Sequence, residues 1–230
     1  MSKTLSIVIP VRNEAGIIRA HLERLQALRA VGHEVIVVDG GSADGTLQMA
    51  QGLADSCVTS EAGRSTQMNG GAVQANGEIL LFLHADTVLP AHADEQITRA
   101  LAANNSQWGW FDVKLSKSRP AFRLVAHMMN LRARLTSVCT GDQALFVERE
   151  LFRRVGGFAD IALMEDIAIS KVLRRTGRPA RPQALVTTSS RRWEQKGLVS
   201  TIMLMWKLRL LYFIGVPPSR LALMYYPRHD

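Results

Sequence analysis

Cysteine is nearly missing from this chain: 230 residues hold only Cys57 and Cys139. Two thiols cannot build a disulfide framework, and these two have no metal-ligand spacing. The expected setting is therefore reducing and cytoplasmic. No secretory leader is expected, because the apolar run Ile7-Val8-Ile9 is short and Pro10 breaks it. Internal repeats and low-complexity linkers are lacking too. Acidic residues are the scarcer charge: 20 against 28 Lys and Arg leave a net +8. That balance favours phosphorylated ligands or acidic lipids. Nucleic acid is set aside as a partner, since no binding motif accompanies the charge. With 47% apolar and 21% charged residues, the chain reads as one globular domain with a full core.

What is present is an alternation of strands and helices. Leu5 to Val11 reads as a strand, followed by a helix from about Glu14 to Arg29. Val35 to Val38 is a second buried strand ending at Asp39. Gly40-Gly41-Ser42 turns the chain, and Ser42 or Asp44 caps a helix through Met49. Cys57 to Thr59 is a short strand, and Gly63-Arg64 opens a helix through Val73. The run Ile79-Leu80-Leu81-Phe82-Leu83 has the look of a strand buried on both faces. Pro90 opens a helix to about Ala103, Trp108 to Lys114 is a strand, and Pro120 to Thr136 is a basic helix. Gln143 to Val147 is a strand, Gly156-Gly157-Phe158 a turn, Met164 to Thr176 a helix, and Leu185 to Thr188 the last strand. The fold class is α/β, a mostly parallel mixed sheet flanked by helices. The tail from Leu198 to Val216 is strongly apolar but carries Lys207 and Arg209. A spanning helix needs ~20 apolar residues free of such charges, so none is expected. The tail reads either as a core or dimer helix, or as a helix lying on a membrane surface.

Ligands in open α/β sheets bind beyond the carboxyl ends of the strands. His84-Ala85-Asp86 stands at such an end. In an extended segment His84 and Asp86 share a side. An imidazole with a carboxylate suits a hard divalent cation such as Mn²⁺; the alternative is a polar strand end wetted by solvent. Glu165-Asp166 falls in the first turn of a helix, where carboxylates also serve to offset the helix dipole. The remaining histidines, His21, His33, His92, His127 and His229, show no ligand spacing and read as surface or packing residues.

Ser6 to Glu14, Val37 to Thr46, His84-Ala85-Asp86, and Gly156-Gly157-Phe158 with Glu165-Asp166 together resemble the family-2 glycosyltransferases of GT-A fold. The order and spacing match from about residue 4 to 193. Gly63 to Asn69, Gly141-Asp142-Gln143 and Ser190-Arg191-Arg192-Trp193 are similar to a small bacterial branch labelled arsenosugar-biosynthesis glycosyltransferases. The resemblance implies a nucleotide-diphosphate sugar as donor, usually UDP-linked, bound in a half spanning about 1–90. It implies an acceptor half of about 91–196 and a helical tail of 197–230. Pro10, Arg12 and Glu14 would line the nucleoside, Asp39 would accept a hydrogen bond from the base, and Ala85, Arg64 and Arg192 would lie along the donor. Asp86, with His84, would hold Mn²⁺ or Mg²⁺. Asp166 would act as base with Glu165 in support, giving inversion. Asp142, Gln143 and Trp193 would meet a small-molecule or lipid-linked hydroxyl acceptor.

Two departures from the family pattern are visible. The usual aspartate pair after the second strand is Asp39-Gly40, and the usual aspartate-x-aspartate is His84-Ala85-Asp86. The glutamine that precedes Arg192-Trp193 in processive synthases is Ser189 here. A sugar nucleotidyltransferase and a non-catalytic membrane-surface module remain as rival readings. A membrane surface at the inner face and a homodimer remain open as partners. A haloacid-dehalogenase phosphatase fails for want of a second aspartate two residues after Asp39 or Asp86. A nicotinamide dehydrogenase fails because Pro10 to Gly16 has no glycine fingerprint.

Overall fold

A computed structural model describes residues 3–226. His229 and the end of the tail lie outside the described residues. The elements run β1 (Leu5–Val11), α1 (Ala15–Glu23), α2 (Gln26–Ala30), β2 (Glu34–Asp39), α3 (Thr46–Ala50), β3 (Ser56–Thr59), α4 (Arg64–Gln74), β4 (Ile79–Phe82), β5 (Thr87–Val88) and α5 (Ala93–Asn104). Then come β6 (Trp108–Gly109), β7 (Asp112–Leu115), α6 (Pro120–Thr136), a 3-10 turn (Gly141–Gln143), β8 (Phe146–Glu148), α7 (Arg149–Arg154), α8 (Glu165–Thr176), β9 (Leu185–Thr188), α9 (Arg191–Lys196), α10 (Leu198–Phe213) and α11 (Pro218–Tyr225).

The main sheet has the order β3-β2-β1-β4-β8-β6. Its first four strands are parallel, whereas β8 runs antiparallel to both β4 and β6. It is the mostly parallel mixed sheet expected. Side chains alternate across a strand, so the unbroken apolar runs feed two cores. Ile7, Ile9, Val35, Val37, Ile79 and Leu81 face one; Val8, Ile36, Val38, Leu80 and Phe82 face the other.

Several expectations need correction. The helix expected over 14–29 is two helices, because Leu25 donates its N–H to the Leu22 carbonyl and turns its side chain into the core. The helix expected from Pro90 begins only at Ala93, after His92 in the left-handed region. Gly45, not Ser42 or Asp44, is the N-cap of α3, although Asp44 still accepts the Thr46 N–H. The strand expected over 108–114 is split between two sheets. Trp108–Gly109 stays in the main sheet, and Asp112–Leu115 joins a second one of order β5-β9-β7. Between them Trp110 donates to the Ala180 carbonyl and Phe111 to the Gln143 carbonyl. Gln143 belongs to the 3-10 turn and not to a strand, since Ala144 follows it in the left-handed region. The short helices α7 and α9 were not anticipated.

The tail is packed on the body of the protein. Leu208 and Leu221 are fully buried against Leu163, Met164 and Ile167 at the start of α8. The first turn of α10, through Leu198 and Ile202, packs with Trp193 on Phe122 and Val125 of α6. Among the described residues no helix is long and apolar enough to cross a membrane.

Candidate active site

The ends of β1 and β4, the turn at Gly141, the start of α8 and helices α9 to α11 surround one cavity of about 540 Å³. Of the residues singled out from sequence, Pro10, Glu14, Arg64, His84, Ala85, Asp86, Asp142, Glu165, Asp166, Arg192 and Trp193 line it. Residues 10 and 193 are far apart in the chain, and the parallel sheet is what brings them together.

The chain leaves β4 at once. Leu83 donates to the Val8 carbonyl, and Thr87 then donates to the His84 carbonyl, closing a turn over His84 to Thr87. His84 and Asp86 thus reach one cavity by a turn, not by strand alternation. The Cε1–Nε2 edge of the His84 ring is close against Gly141: a Cβ there would come within 2.3 Å of His84 Cε1. His84 Nδ1 stands 3.5 Å from Asp142 Oδ1. Asp142 is held below the usual carboxylate range: burial pushes it up, but the His84 contact, Arg64 and Arg192 outweigh that.

Asp166 is fixed by two amides. Its Oδ2 accepts the Gly141 N–H at 3.0 Å and its Oδ1 the Ile167 N–H at 2.7 Å. Burial, reinforced by Glu165, pushes its pKa up to about 6, against the opposing pull of the amides and Arg64. A carboxylate that titrates near neutrality is suited to proton transfer. The N-cap of α8, Met164, is buried and left-handed at φ 72°. A bulky residue held there costs of order 1–3 kcal/mol, and the bend it makes presents Glu165 and Asp166 to the cavity. Glu14 is also raised, by burial first and by Asp86 next, with Arg191 and Arg64 opposing.

The opposite wall is cationic. Arg192 stacks on the Tyr225 ring at 3.7 Å, and among the described residues its buried Nε and Nη2 have no hydrogen-bond partner. A guanidinium with its face on a ring keeps its edge free for a planar anion. Arg64 lies in the cleft, crowded yet open to solvent. Burial works against its charge, but Tyr226, Tyr225, Glu165 and Asp142 more than offset this and raise its pKa.

Three expected residues do not line the cavity. Arg12 points to solvent beside it. Asp39 is buried, with its oxygens taken by the amide and hydroxyl of Ser42. Gln143 is fully buried and caps its own turn, its Oε1 accepting the Thr140 N–H at 3.1 Å. Residues that sequence reasoning passed over are Gly141, Tyr225, Tyr226, Lys196 and Arg209, all on the lining. Gly141 was marked only as part of the Gly141-Asp142-Gln143 resemblance; nothing local marked the tyrosines, which arrive with the tail.

The residues fit a divalent cation in a minimal way. Among the described residues no three His, Cys, Asp or Glu side chains form a metal-binding group. Asp86 lines the cavity, and no protein hydrogen bond to its carboxylate is found among the described residues. A hard cation that takes phosphate oxygens and water for its other ligands needs only one or two protein carboxylates.

A family model, Glycosyl transferase family 2, matches residues 6–154. This chain belongs to that family. The match covers β1 to α7 and stops before α8, so Asp166 and the tail lie beyond it. No curated protein matches by sequence. Among solved structures, the mannosyltransferase PcManGT from Pyrobaculum calidifontis, in complex with GDP-Man and Mn²⁺, is 22% identical with a TM-score of 0.61, over 82% of this chain and 57% of that one. S. aureus TarS in complex with UDP-GlcNAc is 19% identical with a TM-score of 0.65, over 81% of this chain and 58% of that one. Glucosyl-3-phosphoglycerate synthase from Mycobacterium tuberculosis, with Mn²⁺, UDP and glucosyl-3-phosphoglycerate, is 19% identical with a TM-score of 0.61, over 94% of this chain and 82% of that one. The chain spans less than two thirds of the length of the first two. At these identities the likeness is one of fold, and the fold is GT-A. The chain carries the domain of a glycosyltransferase.

Proposed function

We propose that the protein transfers a sugar from a nucleoside-diphosphate sugar, UDP-linked, to a hydroxyl acceptor with inversion at the anomeric carbon. The supporting observation is that Asp86 and Asp166, from the end of β4 and the start of α8, line one cavity. Pro10 and Glu14 bound the nucleoside end, with Arg12 at its outer edge and Asp39 reached only if Ser42 releases it. Arg64 and the free edge of Arg192 hold the diphosphate, beside Ala85. Asp86, with His84 next to it, would hold Mn²⁺ or Mg²⁺. When bound, that cation supplies positive charge to the departing diphosphate.

Asp166 takes the proton of the acceptor hydroxyl as its oxygen attacks the anomeric carbon. The bond from that carbon to the diphosphate breaks on the opposite face, and the nucleoside diphosphate leaves with the electron pair. Glu165 keeps Asp166 basic enough for this by its own charge. Asp142 and Trp193 face the acceptor, Trp193 through ring stacking. Gln143 acts only through the turn it caps. Residues 1–196 would form the catalytic domain, and 197–230 a tail that completes its cavity. We place the enzyme in the cytoplasm, in keeping with two unpaired thiols, and in the branch labelled arsenosugar-biosynthesis glycosyltransferases.

The test is a thermal-shift screen of nucleotide sugars with and without Mn²⁺, followed by product detection. A UDP-sugar that stabilises the protein only with the metal, and is consumed, is the expected result. Stabilisation by nucleoside triphosphates with release of pyrophosphate would favour the nucleotidyltransferase reading instead.

A further inference from the structure

The outer face of α10 exposes Val199, Met203, Trp206, Leu210 and Phe213. Their spacing of four, three, four and three residues puts them on one side of the helix. The inner face, with Leu204, Met205, Leu208 and Leu211, is the side packed on the start of α8. A helix apolar all round is normally enclosed; here half of it is open, with Phe213 81% and Trp206 66% exposed. Helix α6 repeats the pattern with Leu124, Met128, Leu131 and Leu135, again four, three and four apart and exposed. The two helices meet through the cluster of Phe122, Val125, Leu198 and Ile202.

The charges around these stripes decide what covers them. No Asp or Glu occurs from 113 to 141 or from 195 to 229. Lys207 and Arg209 flank the stripe of α10, and Arg123 lies on α6; among the described residues none of the three makes an ion pair. A second copy of the chain would set cation against cation along such a seam. An anionic surface would meet them with the opposite sign. Exposed apolar side chains including Trp and Phe, on helices that carry Lys and Arg but no Asp or Glu, are what a helix lying in a bilayer interface presents.

We infer that α10 and α6 form a docking surface for a bilayer containing anionic lipid. The inner side of α10 contributes Thr201, Met205, Leu208 and Arg209 to the cavity. Docking therefore sets the α10 wall of the site at the lipid boundary. The inference stands apart from the chemistry: its failure would leave sugar transfer untouched.

The experiment is flotation of the full chain with vesicles of phosphatidylcholine alone, or with about a third phosphatidylglycerol. The protein floats with the anionic vesicles, and raising salt weakens this. Trp206→Glu combined with Phe213→Glu lowers the partition coefficient by roughly tenfold or more, and Leu131→Glu lowers it independently. Each variant is checked for an unchanged melting temperature and for the UDP–Mn²⁺ thermal shift of wild type, so that misfolding is separated from lost docking. Three results would overturn the inference. One is no flotation of wild type on anionic vesicles. Another is equal flotation of wild type and folded variants. The third is a wild-type dimer in sedimentation that Phe213→Glu splits, which would give the stripe to a second copy.

Discussion

The sheet side of the cavity is mainly acidic, with Arg64 its one guanidinium among the described residues, and the side built by α9 and α10 is basic. From the sheet side come Glu14, Asp86, Asp142, Glu165 and Asp166; from α9 and α10 come Arg191, Arg192, Lys196 and Arg209. The carboxylate of Asp166 is held by backbone amides and that of Asp142 by a turn, so their positions follow from the main chain. Arg192 is held by the face of a ring from α11. Among the described residues no ion pair joins the two sets. Two unneutralised walls leave room for a ligand carrying both kinds of need, phosphates for one and a hydroxyl proton for the other.

Breaking the acidic wall has the largest expected effect. Asp166→Asn lowers turnover by about 10²- to 10⁴-fold and leaves the donor thermal shift in place. Near-normal turnover would move the base elsewhere. In wild type, activity rises with pH through about 6, the pKa of Asp166. Its folded pKa lies above the ordinary 3.8, so ionising it costs the fold. That contribution to stability is fully present below about pH 4 and is lost as pH rises through about 6. Asp166→Asn therefore flattens the melting temperature across that window. Asp86→Ala comes next, with donor affinity down about a hundredfold in the presence of Mn²⁺ and little changed in its absence. Calorimetry giving equal affinities for both proteins would remove Asp86 from the cation site.

Gly141→Ala sharpens the comparison, because it disturbs the acidic wall alone. The new Cβ meets His84, and the backbone amide leaves Asp166. Overpacking of this kind costs about 1–3 kcal/mol of stability in denaturant melts. Turnover falls with it, while phosphate affinity on the tail side holds. The smallest effect belongs to the tail. Tyr225→Ala raises the donor KM by about tenfold or less, and Tyr225→Phe is close to wild type, since the ring face and not the hydroxyl supports Arg192. A large loss in Tyr225→Phe would show that the hydroxyl itself takes part.

The sheet side was legible because its signals are local. The apolar runs of β2 and β4 stop at Asp39 and His84, β1 is apolar but for Ser6, and α6 is bounded by Pro120 and by left-handed Ser137. His84, Ala85 and Asp86 followed from a strand end, whereas Glu165 and Asp166 followed from the family resemblance. What could not be read depended on distant partners. The run from Trp108 to Leu115 is interrupted only by Gly109, whose partner is distant: it must lie against the Ala180 carbonyl, where any Cβ would sit 2.0 Å away, and the chain changes sheets beyond it. Gln143 was read as an acceptor contact from the resemblance, with a strand-end turn as the alternative, and its side-chain oxygen is taken by the Thr140 N–H. Asp39 was right as a strand end and is turned inward by Ser42. The tail's composition left a core or dimer helix and a surface-lying helix both open, and only the packed fold reveals that one side faces Leu163 and Ile167 while the other is open.

The turn of Gly141, Asp142 and Gln143 joins two jobs in three residues. One amide steadies the proton acceptor, and the neighbouring side chain faces the imidazole at the end of β4. An inserted or deleted residue there would throw both out of line together. Anyone redesigning the site should leave that joint alone and vary side chains that line the cavity without bracing another, as a panel is exchanged without touching the hinge pins.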